Sequence, residues 1–213
     1  MNNFSPSMLK TFESCPKKYH LKFVEKINLP QNPILFEKGK KIHALANFYH
    51  RGQNISKLET ALTDNEKIIW NSLKNNKYFA MKCLNSEYAI TAKINNIWIF
   101  GRLDALVKDG NNYYILDYKT GSIPKNPEKD FQTMIYLTCA DKILPPNINL
   151  SFVYIDLQNN TNKVIEYTPE LKQLYQDTLN AQCNLILTTK EFDGKENKQH
   201  CKFCEYNKIC QLH

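Results

Sequence analysis

The stretch GRLDALVKDGNNYYILDYKTG, residues 101–121, constrains the fold more than any other part of the chain. Two runs rich in aliphatic, β-branched and aromatic residues flank Gly110-Asn111, a turn signal of the kind that closes a β-hairpin. Counting outward from that turn pairs residue 108 with 113, 106 with 115 and 104 with 117. On this register Asp104 and Asp117 stand opposite one another, with Cβ atoms about 4.5–5.5 Å apart. Lys119 lies two residues beyond Asp117 and projects from the same face.

Two carboxylates so placed on apolar strands repel each other, and the arrangement becomes favourable when a divalent cation sits between them. Hard oxygen ligands suit Mg²⁺ or Mn²⁺. An ammonium on the same face can hold a water or stabilise charge on a phosphate oxygen. The three residues thus predict a metal-assisted hydrolase site for an anionic substrate. The competing reading makes Asp104 and Asp117 water-facing strand ends with Lys119 as a surface ion-pair partner.

The rest of the chain places this hairpin in an α/β context. SEYAITAKI, IWIFGRLDALV and YYILDYKT read as three consecutive antiparallel strands, and NLSFVYIDL with NKVIEYT as a further hairpin around Gln158–Asn162. A helix starts at Ser5-Pro6 and restarts after Cys15, where Pro16 interrupts it. NLPQNP reads as a loop and LFEKGKKIHALANFYHRG as a second helix ending near Gly52; residues 58–78 read as a third. PEKDFQTMIYLTCADKI and PELKQLYQDTLNAQCNLILTT return to the helical period.

The 213 residues suit one large domain or a domain with appendages. Lys and Arg outnumber Asp and Glu by 28 to 21, a surplus that points to a polyanionic partner. No signal peptide and no apolar window of membrane-spanning length is visible. The seven cysteines, an odd number without an export signal, predict a reduced, cytoplasmic protein that uses them for metal binding or packing. Three of them, in CKFCEYNKIC, have Cys-x2-Cys-x5-Cys spacing at 201, 204 and 210, and Cys15 is the candidate fourth ligand. Four thiolates suit a [4Fe–4S] cluster or a tetrahedral Zn²⁺, with His200 and His213 as spare ligands for zinc. Cys83, Cys139 and Cys183 lie in apolar periodic segments and read as core packing.

GRLDAL followed by ILDYKTG resembles the metal-binding core of the PD-(D/E)XK nuclease superfamily in its RecB-like branch, with Asp104 as first acid and Asp117-x-Lys119 on the second strand. Gly39 to His43 resembles that branch's Gly-x-x-x-His, and Gln132 with Tyr136 its Gln-x-x-x-Tyr. The opening SPSMLKTFESCPKKYHLKF resembles the branch's first helix, which ends in Cys-Pro before basic and aromatic residues. The resemblance spans nearly the whole chain. It implies a single domain over 1–213 with a restriction-endonuclease-like core at 36–189, a mixed sheet flanked by helices. Segments 1–30 and 190–213 would be joined by a four-cysteine iron–sulfur staple of Cys15, Cys201, Cys204 and Cys210, as in AddB-type and CRISPR-associated nucleases.

The implied function is a Mg²⁺- or Mn²⁺-dependent deoxyribonuclease acting on single-stranded DNA or DNA ends. His43, Asp104 and Asp117 would hold the cation, with a backbone carbonyl from 115–118 as a further ligand. Lys119 would orient the attacking water, and Gln132 and Tyr136 would orient DNA or the ligands. Glu87 is an accessory acid at the start of a strand. Basic–aromatic runs such as PKKYHLKF suit phosphate and base contacts. A helicase, CRISPR or recombination protein is the implied partner. The alternatives are a non-catalytic DNA end-clamp, since no Walker A motif supplies a motor, and a zinc-stapled adaptor without nucleic acid.

Overall fold

In a computed structural model, the described residues are 3–29, 34–195 and 201–210, with the side chains of 34–38 excepted. His200, His213 and Pro30–Pro33 of the predicted loop lie outside them. The elements follow in chain order as β1 (Asn3–Phe4), α1 (Pro6–Ser14), α2 (Pro16–Tyr19), α3 (Ile34–His50), α4 (Ser56–Thr60), α5 (Asp64–Lys74), β2 (Lys82–Ile94), β3 (Ile97–Asp109), β4 (Asn112–Lys119), α6 (Phe131–Ile143), β5 (Asn149–Asp156), β6 (Thr161–Glu166) and α7 (Pro169–Thr188). Among the described residues no helix is long and apolar enough to cross a membrane.

Local chemistry sets the helix starts. The Ser5 hydroxyl accepts from the Met8 N–H ahead of Pro6, and Thr168 does the same for Leu171 ahead of Pro169. Where the sequence predicts one helix over 58–78, the structure has two. Thr63 and Glu66 form a capping box that starts α5 afresh. Cys15 separates α1 from α2, as the Pro16 signal predicts.

The strands form one six-stranded mixed sheet. β2, β3 and β4 are antiparallel neighbours, β5 runs parallel to β4, and β6 returns antiparallel to β5. β2 occupies one edge of β3 over nearly its full length. The other edge is shared: β4 pairs with Ala105–Asp109, and β1 runs parallel beside Trp98 and Ile99. The observed register pairs Lys108 with Tyr113, Leu106 with Ile115 and Ala105 with Leu116. This is the register counted from the turn, and Gly110 closes it at φ +57°.

One apolar layer packs α1, α6 and α7 against Ile99, Leu103, Leu106, Ile115 and Phe152. The other packs α3 and α5 against Ala105, Val107, Leu116, Tyr118 and Val153. Leu103 and Ala105 should face the same way on a regular strand, yet they belong to opposite layers. The alternation of β3 therefore breaks at Asp104. Its neighbour β2 breaks too. The Ser86 hydroxyl donates to Asn47 of α3 at 2.6 Å, whereas Ile90 packs in the α6 layer, and Glu87 between them adopts φ +48°. Both strands kink at the same level, and the kinks free the carboxylates of Glu87 and Asp104 from the regular sheet faces.

Candidate active site

Asp104 sits where the β3–β4 ladder ends, and its side chain takes over from the backbone. Oδ2 accepts the Tyr118 N–H at 2.8 Å, and Oδ1 lies 3.1 Å from Nδ1 of His43. The other ring nitrogen, Nε2, is 2.9 Å from the Tyr118 carbonyl. A ring flanked by two acceptors is fully satisfied only when both nitrogens carry protons. Burial alone would lower the pKa of His43; the hydrogen bond to Asp104 and the charges of Asp104 and Asp117 reverse that and raise it to about 9.

His43, Asn47 and His50 make a polar stripe on α3 at i, i+4 and i+7. The stripe turns toward the sheet. Asn47 receives Ser86, and Nε2 of His50 lies 3.1 Å from the Tyr118 hydroxyl. Burial holds His50 down at about 4, so it is neutral at physiological pH.

Asp117 is 3% exposed. Its Oδ1 accepts from Nε2 of Gln132, and Nζ of Lys119 lies 2.8 Å from Oδ2. The ammonium is close but misaligned, so Oδ2 is buried without a well-directed donor. Burial, then the charge of Asp104, raise the Asp117 carboxyl to about 6 against the opposing pull of Lys119. Lys119 also donates to Oε1 of Gln132 at 3.3 Å and stands over the Tyr154 ring. Gln132 thus bridges the carboxylate and the ammonium. Its own backbone N–H is fixed by the α6 cap, Asp130.

Tyr136, one turn along α6, does not reach the carboxylates by a direct hydrogen bond. It lies against Gly101, where a Cβ would fall 2.2 Å from its ring. The glycine of the GRLD motif is therefore explained by close approach of α6 to β3.

The structure brings ligating atoms of His43, Glu87 and Asp104 within 4.8 Å of one another, and Asp117 lies outside that group. Glu87 is mid-strand in β2, not at a strand start. The signal for its position is the Asn95-Asn96 turn. Counting outward from Ile94↔Ile97 sets residue 87 opposite 104, between the observed pairs Ser86↔Ala105 and Tyr88↔Leu103. Burial and then the Asp104 charge raise the Glu87 pKa. His43, Glu87 and Asp104 are a donor set that fits a hard divalent cation, and the buried, under-donated Asp117 lies near enough for the charges of Asp104 and His43 to act on it.

Cys15, Cys201, Cys204 and Cys210 line one small cavity of about 30 Å³ with Lys18, Leu21, Tyr206 and Asn207. They are free thiols and do not form a closed tetrahedron of sulfurs. Among the described residues, only His43, Glu87 and Asp104 form a ligand group within 4.8 Å. Other contacts hold the chain ends together. Glu205 pairs with Lys18 at 2.8 Å, and the Tyr206 hydroxyl donates to the Ile27 carbonyl at 2.8 Å. Cys139 and Cys183 are buried and Cys83 is partly buried against the α3 layer, in keeping with packing roles.

The family model of the PD-(D/E)XK nuclease superfamily matches residues 3–211. The chain belongs to the PD-(D/E)XK nuclease superfamily. That superfamily's activity is phosphodiester hydrolysis, and its α/β core is the mixed sheet described above. Among solved structures, the chain is similar to a candidate exonuclease from Eubacterium rectale, with TM-score 0.62 and 11% identity over 100% of this chain and 89% of that one. This likeness shows the fold alone. A second protein, SSO0001, has TM-score 0.47 and 17% identity over 99% of this chain and 87% of that one. No curated protein matches the chain in sequence.

Proposed function

We propose that the protein is a divalent-metal-dependent DNA nuclease of the RecB-like branch, a single domain acting in the cytoplasm on single-stranded DNA or DNA ends. The observation that carries this reading is the buried Asp117 carboxylate. It is held beside Asp104, His43 and Lys119 with one oxygen short of an aligned donor. Leaving such a charge under-compensated costs free energy, and a cation removes that cost.

Asp104, Asp117, His43 and the Tyr118 carbonyl would hold Mg²⁺ or Mn²⁺, with Glu87 available beside them. When bound, the cation supplies positive charge to a phosphate oxygen and acidifies water. Lys119 presents its ammonium at the same place, where it orients a water and stabilises charge developing on the phosphate. Gln132 is a positioning residue for both Asp117 and Lys119. Tyr136 positions β3 through Gly101. To serve as a ligand His43 would have to give up a proton, which would link cation binding to proton release.

The four cysteines would hold a [4Fe–4S] cluster that closes the chain ends, with zinc as the alternative. Their shared cavity supports the reading. A helicase, CRISPR or recombination protein is the expected partner.

The test is digestion of labelled single- and double-stranded DNA with Mg²⁺ or Mn²⁺ by anaerobically purified protein. Wild type is expected to cut, and Asp117→Ala and Lys119→Ala to lose activity. Equal digestion by all three would defeat the catalytic reading. DNA binding without cutting by wild type would make the protein an end-clamp.

A further inference from the structure

Residues 97–104 of β3 extend beyond its pairing with β4. One face of this stretch is buried: Ile97, Ile99 and Leu103 pack in the α6 layer. The opposite face, on the α3 side of the sheet, carries Trp98, Phe100 and Arg102 in a row. Trp98 is 45% and Phe100 40% exposed. Across the ladder, Lys93 partners Trp98, Thr91 partners Phe100 and Ala89 partners Arg102. Among the described residues neither ring stacks on another aromatic, and both are partly open to solvent. The row leads to the acids, since the Arg102 guanidinium lies 3.7 Å from Glu87, which shares a ligand group with Asp104.

Single exposed aromatics are ordinary, but two on one strand face, flanked by Lys93 and Arg102 and aimed at a carboxylate pocket, are not scattered. Residues i and i+2 on a strand are about 7 Å apart. That is roughly twice the 3.4 Å spacing of stacked bases, so one base fits between two such rings or each ring takes alternate bases. A duplex keeps its base faces covered, and only an unpaired strand can present them.

We infer that the Trp98–Phe100 row is a stacking platform for single-stranded DNA, with Lys93 and Arg102 on its phosphates, that feeds an unpaired strand toward Asp104. This inference rests on the nuclease reading and adds to it the form of the substrate and the residues that select it. The chain's charge of +7 favours a polyanion over an apolar partner on this face.

The chain has two tryptophans, and Trp70 is only 1% exposed, so a fluorescence response to oligonucleotide reports Trp98. In EDTA, oligo(dT) is expected to quench wild type, and a blunt duplex of equal length is not. Trp98→Ala should lose the quench and bind oligo(dT) about tenfold more weakly by anisotropy, and Phe100→Ala should bind about tenfold more weakly while keeping the quench. Trp98→Phe should bind nearly as wild type. Absent quenching in wild type, equal quenching by duplex, or unchanged binding by Trp98→Ala/Phe100→Ala would overturn the platform. A change in self-association of that double variant, without a change in DNA binding, would assign the face to protein contact. The two readings fail differently. Quenching without cleavage in Mg²⁺ or Mn²⁺ removes the nuclease and keeps the platform. Cleavage of single strands with unchanged KM in the double variant does the reverse.

Discussion

The acidic pocket and the cysteine cavity both gather ligand-type side chains, from very different distances along the chain. Asp104, Asp117 and Glu87 come from three strands joined by two tight turns. Their charges are already engaged by the protein's own cations, His43 and Lys119. Cys15 and Cys201–Cys210 come from opposite ends of the sequence, and their alignment depends on contacts such as Lys18 with Glu205. The pocket is preorganised by the sheet, whereas the cavity depends on bringing the two ends of the chain together. Chemistry is thus expected to depend on the first, and the integrity of the ends on the second.

The largest effect that can break this contrast is on turnover. Lys119→Ala should lower kcat by about 10²–10⁴-fold in a protein that still folds, although loss of the cation beside the buried Asp117 also costs some stability. On the proposed cluster, Cys15→Ala should keep kcat within a few-fold at low temperature and lose about 3 kcal/mol of stability, because the long loop that the cluster would close is released. Denaturation and single-turnover cleavage on the same samples separate the two. A Cys15→Ala protein that is stable but inactive would merge the regions.

Gly101→Ala comes next. The added methyl meets the Tyr136 ring, and with that ring buried in the α6 layer the expected cost is about 1–3 kcal/mol. Thermal melting checks it, and an unchanged melting temperature would show that α6 can withdraw from β3. The smallest effect is in pH. His43 has a folded pKa near 9, above its ordinary 6.5, so its contribution is fully present below pH 6.5 and is lost as pH rises through 9. In EDTA, stability should fall by about 1–2 kcal/mol over that window, and His43→Gln should flatten the slope. His50 acts in the opposite sense and at lower pH, losing its contribution as pH falls from 6.5 toward 4, so the two do not overlap.

The pocket's register was legible because it is local. Gly110-Asn111 alone yields the observed Lys108↔Tyr113 pairing and carries it to within one step of Asp104 and Asp117. The same arithmetic from Asn95-Asn96 reaches Glu87, but the strand runs back to Lys82, well before the alternating β-branched and aromatic pattern that marks it in the sequence begins. The kinks at Glu87 and Asp104 were not legible. They show only as a change of layer between Leu103 and Ala105, which depends on which helix covers each face. The parallel neighbours β1–β3 and β4–β5 are non-local for the same reason. His43, Asn47 and His50 have the i, i+4, i+7 spacing of one polar helix face, which on a surface helix would meet solvent. In the folded chain that stripe is turned inward, because Tyr118 and Ser86 supply partners for it.

The most direct measurement is Mn²⁺ binding to wild type, Asp104→Ala and Asp117→Ala, followed by calorimetry at pH 7.5 in two buffers of different ionisation enthalpy. Wild type should bind, and each variant should bind at least tenfold more weakly; proton release on binding would add His43 to the ligands. Equal affinity in all three proteins would show that Asp104 and Asp117 do not share a cation.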